Sequence, residues 1–200
     1  MTRIAIDAMG GDNAPQAPVQ GAAQAVKKYG CDVTLVGDSA QIEPLLEGVD
    51  RSKITVVHTS EVISNEEKAT SAIRGKKDSS MSVALKLVAD GEGDAIVSAG
   101  STGALLTGAT FIVKRIKGVQ RGALGAVIPT KGKNGAMLLD SGANAECSAE
   151  YLLQFAYLGS YYVERVFGVK NPRVALLNIG AEESKGDELR HETYALLKEA

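Results

Sequence analysis

Two hundred residues, 44% hydrophobic and 23% charged, with a mean hydropathy of −0.01, exclude a disordered or fibrous polypeptide and leave enough apolar surface for a sizeable core. The two cysteines, Cys31 and Cys147, stand far apart with no CxxC pattern and no nearby histidine pair, which excludes a disulfide framework and a zinc site and points to a reducing cytoplasm. The formal net charge is only −2, and neither a signal-like apolar leader nor a run approaching the ~20 residues of a membrane span is present, so export and insertion are not expected.

The chain opens on a strand over residues 3–8, then a helix over 15–29, a strand over 32–36, a helix over 40–46 and a strand over 54–58. Strands alternating with helices in this way predict a parallel sheet with helices on both faces. A polar stretch, 61–77, leads to a helix over 79–90, a strand over 95–98 and a helix from 102 to about 114. Two apolar runs, 124–129 and 136–140, flank Thr130-Lys131-Gly132-Lys133-Asn134-Gly135 and predict an antiparallel hairpin inserted in the parallel pattern. A helix over 148–167 carries Tyr151, Phe155, Tyr157, Tyr161, Tyr162 and Phe167. Its apolar residues cover more than one face, so it is either central to the core or shared with a second subunit, burial within the chain being the first expectation. A last strand over 173–178 passes through GAEESKGDE into a closing helix. With no cap or closing strand after that helix, residues 1–200 read as one α/β domain, the amino-terminal part of a longer fold.

Four apolar strands run into loops of glycine, small and polar residues: IAIDAMGGD from Ile4, AIVSAGSTGA from Ala95, MLLDSGANAE from Met137 and VALLNIGAEESKG from Val174. In one parallel sheet all four loops would share the carboxyl edge, where backbone amides and helix amino termini face a ligand. GxxxxGK[ST] and GxGxxG are both absent, which lowers the ATP and NAD readings. What remains is an anion site of phosphate size, built from the amides of 99–103 and 142–145 and from the hydroxyls of Ser98, Ser101, Thr102 and Ser141, with no metal or cofactor required. The candidate binding residues are Asp7, Gly10, Gly11, Ser98, Gly100, Ser101, Thr102, Gly103, Asp140, Gly142 and Asn144. Taken singly, each glycine turn also reads as a tight connection.

Asp7, Asp12 and Asp140 fall at or just beyond strand ends, and Glu182 and Glu183 in the last loop. Carboxylates would repel a phosphate, so some are expected to cap helices or to orient cations. Lys185 and His191 are the candidate catalytic residues, a cation for a phosphate or developing oxyanion and an imidazole that exchanges protons near neutral pH. His191 reads equally well as a surface residue on an ordinary helix. Cys147 starts a helix, where a thiolate is favoured, but with no basic partner nearby it reads better as a small buried residue. Between Asp94 and Asp140 there is no acidic residue, while Lys114, Arg115, Lys117, Arg121, Lys131 and Lys133 all occur. These residues read either as a solvated basic face or as a patch for an anionic ligand or an acidic protein surface. Arg74, Lys76 and Lys77, just ahead of Ser79 and Ser80, read either as a flexible basic loop with a serine cap or as a holder for a phosphate group or an acidic protein surface. The near absence of aromatics from the basic stretch, Phe111 apart, argues against nucleic acid.

IAIDAMGGDNAP, IRGKKDSSM, VSAGSTGA, LLDSGAN and NIGAEESKG, in that order over the whole chain, resemble the PlsX phosphate acyltransferase family of bacterial phospholipid synthesis. Ser101 stands where that family's pattern has asparagine, and Ser141 where it has valine. The resemblance implies a Rossmann-like fold similar to phosphate acetyltransferases and isopropylmalate dehydrogenases. It also implies transfer of a fatty acyl group from acyl carrier protein to inorganic phosphate, a homodimer, and peripheral contact with the inner face of the cell membrane. Two alternatives remain at this stage: a phosphate acetyl- or butyryltransferase using coenzyme A, and a non-catalytic scaffold that binds carrier protein or membrane.

Overall fold

Apolar runs with little alternation form strands when both of their faces are covered, and the first three strands here are of that kind. A computed structural model describes residues 1–131 and 135–200. The chain divides into two units, Met1–Lys114 and Arg115–Ala200.

In the first unit β1 (Arg3–Asp7), β2 (Asp32–Gly37), β3 (Ile54–His58) and β4 (Ala95–Val97) form a sheet of order β3-β2-β1-β4. Every neighbouring pair is parallel, with Ile4 opposite Val33 and Ile6 opposite Leu35. That register sends alternate residues to opposite faces. Ile6, Ala8, Val33 and Leu35 face α1 (Gln16–Tyr29), where Val19 and Ala22 complete one core. Ala5 and Val36 face α4 (Ser80–Ala89) and pack on Ala84. Asp7 lies opposite Val36 in the register and so shares the α4 side.

The helix expected over 40–46 is α2 (Ser39–Ile42) followed by a turn of 3₁₀-helix, Glu43–Leu46. The polar stretch contains an unforeseen helix, α3 (Ala69–Gly75), whose Ala72 and Ile73 are buried with Met81, Leu85 and Ala104. The helix after β4 is α5 (Thr102–Gly108), and it widens into a π-helical turn over Ala109–Val113.

In the second unit β5 (Gly125–Ile128) and β6 (Ala136–Leu139) pair antiparallel, as the hairpin expectation requires. The central turn positions 132–134, Lys133 among them, lie outside the described residues. Ser148 caps α6 (Ala149–Phe167) by accepting the Tyr151 amide, and Asp187 caps α7 (Glu188–Glu199) by accepting that of Arg190. Two expectations need correction. The apolar run 173–178 forms no strand, because strand propensity is realised only when the backbone finds a ladder partner. The aromatics of α6 are mostly not core: Phe155 is buried, whereas Tyr157, Tyr161 and Tyr162 are 47%, 65% and 47% exposed. A helix that is apolar around much of its circumference cannot bury every face against α7 and β6 alone.

Candidate functional site

The loops after β1 and β4 meet because their strands are neighbours in the sheet. Gly10 is buried, and a Cβ on it would overlap the Asp7 carboxylate and come within 2.9 Å of the Gly100 nitrogen. Gly11 has φ +101°, and a Cβ there would lie 2.9 Å from the Ala99 side chain. Two backbones therefore pass at a separation that no side chain permits, and at Gly11 the dihedral itself favours glycine. Gly10→Ala is expected to lower stability by about 1–3 kcal/mol through this overpacking, read as a drop in the denaturation midpoint at unchanged m-value.

Beneath the loops lies Asp7, 2% exposed. Ser80 Oγ donates to its Oδ1 (2.6 Å), and Ser98 Oγ donates to its Oδ2 (2.7 Å). Ser98 Oγ in turn accepts the Gly100 N–H (3.0 Å). Ser101 caps α5 by accepting from the Ala104 amide (3.4 Å). Of the backbone donors expected over 99–103, that of Gly100 is thus engaged. Those of Thr102 and Gly103, the first two residues of α5, have no partner within the helix and are exposed. Ser80 was not singled out in the sequence beyond its place in a serine pair. Ser79 takes the capping role, accepting the Ser82 amide (3.3 Å), which frees Ser80 to reach the sheet.

Of the basic residues before α4, Lys76 is firmly tied. Lys76 Nζ donates to the Val62 carbonyl (2.8 Å) and to Glu67 Oε1 (2.7 Å). That bond to Lys76, with the Ser64 amide behind it, holds the Glu67 carboxyl below its ordinary range. Arg74 lies over the Phe111 ring at 5.9 Å. Arg74, Lys77 and Lys114 are exposed, so Lys76 is the member of this group that serves the fold.

In the second unit Asp140 follows β6 and accepts four hydrogen bonds. Leu124 N (2.7 Å) and Ala143 N (3.2 Å) donate to Oδ1, and Asn144 N (2.7 Å) and Asn144 Nδ2 (3.2 Å) donate to Oδ2. Burial alone would raise its carboxyl, but these amides outweigh that and hold it below the ordinary carboxylate range. Two of the amides expected to face a ligand over 142–145 are therefore turned onto Asp140. Asn144 also donates to the Gly122 carbonyl (2.9 Å). Gly142 has φ +126° with open space around it. Burial and the Asp140 carboxylate raise the Cys147 thiol, against a thiolate.

The last loop is braced from both ends. Asn178 Nδ2 donates to the Lys185 carbonyl (2.9 Å), and His191 Nε2 lies 3.1 Å from the same oxygen. A carbonyl can only accept, so Nε2 carries the proton and Nδ1 is the imidazole's remaining position. Lys185 is exposed, and its ammonium is absent from the ion pairs of the described residues. It borders a cleft of about 170 Å³ with Glu182, His191 and Tyr194. Arg115 donates to the Gln120 carbonyl (2.6 Å). Among the described residues no group of three or more His, Cys, Asp or Glu is placed to hold a metal ion.

The expectation of four loops on one sheet edge holds for two. The loops after β1 and β4 share the carboxyl edge, the third follows an antiparallel strand, and the fourth follows no strand.

The sheet and its paired loops define an α/β protein of the Rossmann-like class, with backbone amides presented beside glycine at the carboxyl edge. A family described as "Fatty acid synthesis protein" matches residues 2–200, and the chain belongs to that family. Proteins named phosphate acyltransferase are similar over nearly all of it. That of Streptococcus sanguinis (strain SK36) is 52% identical over 198 residues, 98% of this chain and 59% of that protein. That of Streptococcus uberis (strain ATCC BAA-854 / 0140J) is 50% identical over 200 residues, 100% of this chain and 59% of that protein. That of Clostridioides difficile (strain 630) is 48% identical over 198 residues, 98% of this chain and 58% of that protein. The chain thus spans less than two thirds of the length of these curated relatives, and the resemblance carried by the five sequence motifs is borne out.

Proposed function

We propose that the complete protein transfers a fatty acyl group from an acyl carrier protein thioester to inorganic phosphate, forming the acyl phosphate used in phospholipid synthesis. The observation that carries this reading is the pair of interlocked glycine loops at the carboxyl edge of the sheet, in a chain whose relatives are named phosphate acyltransferases. The Thr102 and Gly103 amides are donors of the kind that takes a phosphate oxygen. One phosphate oxygen attacks the thioester carbonyl, the carbon–sulfur bond breaks, and the thiolate leaves to take up a proton. Phosphate is already anionic near neutral pH, so positioning and oxyanion stabilisation supply the rate rather than a strong base. Lys185 is the cation assigned to the developing oxyanion. The Nε2 proton of His191 rests on the Lys185 carbonyl, which supports a role in holding Lys185 in addition to proton transfer to the thiolate.

Arg74, Lys77 and Lys114 are exposed cations suited to the acidic surface of a carrier protein. The exposed tyrosine face of α6 supports a homodimer. No helix among the described residues is long and apolar enough to cross a membrane. Peripheral contact with the membrane's inner face belongs to the same reading and rests on the family resemblance alone.

The deciding experiment incubates the complete protein with acyl carrier protein thioester and phosphate and traps the product with hydroxylamine. Acyl hydroxamate that depends on phosphate is the expected result. Consumption of thioester without hydroxamate overturns the reading, and faster turnover of short acyl-coenzyme A reassigns the donor.

A further inference from the structure

Asp7 is the one charged side chain in the buried set among the described residues, and no described ion pair includes it. A carboxyl group in that position is costly unless its oxygens find donors, and here one hydroxyl reaches each oxygen. Ser98 donates its proton to Asp7 and keeps a lone pair for the Gly100 N–H. Ser80 ties the first turn of α4 to the same carboxylate from 73 residues away, and Ser98 ties the β4 loop from 91. The Gly10 backbone rests directly on Asp7 and within 3.3 Å of where a Cβ on Gly100 would stand. One buried carboxyl group therefore sets the β1 loop, the β4 loop and the α4 amino end together, a cost that packing alone does not require.

We propose that Asp7, Ser80 and Ser98 are positioning residues that hold the Gly10–Gly11 and 99–103 backbones in the arrangement that receives the acceptor phosphate. The inference rests on the function proposed above and assigns these side chains a role behind the loops. Asp7 acts through Ser98 and Gly100 and does not meet phosphate, which a carboxylate would repel.

The test compares the complete wild-type protein with Ser80→Ala, Ser98→Ala, Ser98→Thr and Asp7→Asn. Amide hydrogen exchange is read over peptides spanning 8–14 and 98–105 at increasing inorganic phosphate, alongside steady-state kinetics. Phosphate is expected to protect both peptides in the wild type and in Ser98→Thr, which keeps the hydroxyl. Ser80→Ala, Ser98→Ala and Asp7→Asn are expected to need about tenfold more phosphate for the same protection and to raise the phosphate KM about tenfold, with the carrier-thioester KM unchanged. Should Asp7→Asn fail to fold, Ser80→Ala, which removes one donor only, decides the matter. Folded variants with an unchanged phosphate response, or with both KM values raised equally, overturn the proposal. A wild type that makes no acyl phosphate overturns the function instead. The exchange data then stand alone: phosphate protection that the variants lose upholds the positioning role, and its absence in the wild type overturns it.

Discussion

Lys185→Ala in the complete protein is expected to lower turnover by roughly two orders of magnitude or more, the loss typical of removing one donor to a developing oxyanion. The unfolding midpoint should hardly move, because Lys185 is exposed and takes part in no described ion pair. The loop does not depend on the ammonium: Asn178 and His191 both grip the Lys185 carbonyl, which alanine retains. Lys185→Arg keeps the charge but spreads it over a planar fork, so partial recovery is expected. Single-turnover kinetics with saturating phosphate and carrier thioester make the measurement. Wild-type turnover in Lys185→Ala would remove this residue from the reaction.

Asp140→Ala is expected to cost about 3 kcal/mol in the stability of the second unit, because the amides of Leu124, Ala143 and Asn144 lose their acceptor together. The carboxyl is depressed in the folded state, with burial opposing the shift and the three amides outweighing it. The sign follows: a group depressed on folding contributes its stability in full above the unfolded carboxyl value of about 3.9 and loses it as pH falls through the lower folded value. Wild-type stability should therefore decline below about pH 4, and the gap between wild type and Asp140→Asn should narrow over the same window. Hydrogen exchange of peptides from 122–146 as a function of pH reads this directly. A gap that stays constant from pH 6 to about pH 3 would show that Asp140 acts through its shape rather than its charge.

Local features of the chain were legible from residue order. The runs RIAID, DVTLVG and ITVVH are strands, and the turn-rich separator between the apolar runs 124–129 and 136–140 implies a hairpin that the structure contains. A serine cap ahead of α4 was readable, since capping needs only a hydroxyl within one turn of the amide it accepts. The family was legible as well, in five motifs whose order over the chain matches the family found.

The long-range assignments were not legible. Nothing in the order of residues says that Ser80 rather than Ser79 reaches the sheet, or that Lys76, within a run of cations, is withdrawn to Glu67. The run 173–178 has the continuous apolar residues of a strand and yet forms none, and α6 has core-like aromatics that stay exposed, because both outcomes depend on which surfaces are near enough to pair with them. Residue order by itself determined the α/β class and the glycine loops. Each of these depends on dihedral freedom, periodicity or spacing within about one turn or one strand. Only the tertiary structure decided that Asp7 and Asp140 turn inward to hold backbone amides and hydroxyls, because a carboxylate's role is set by the donors that register and packing bring to it.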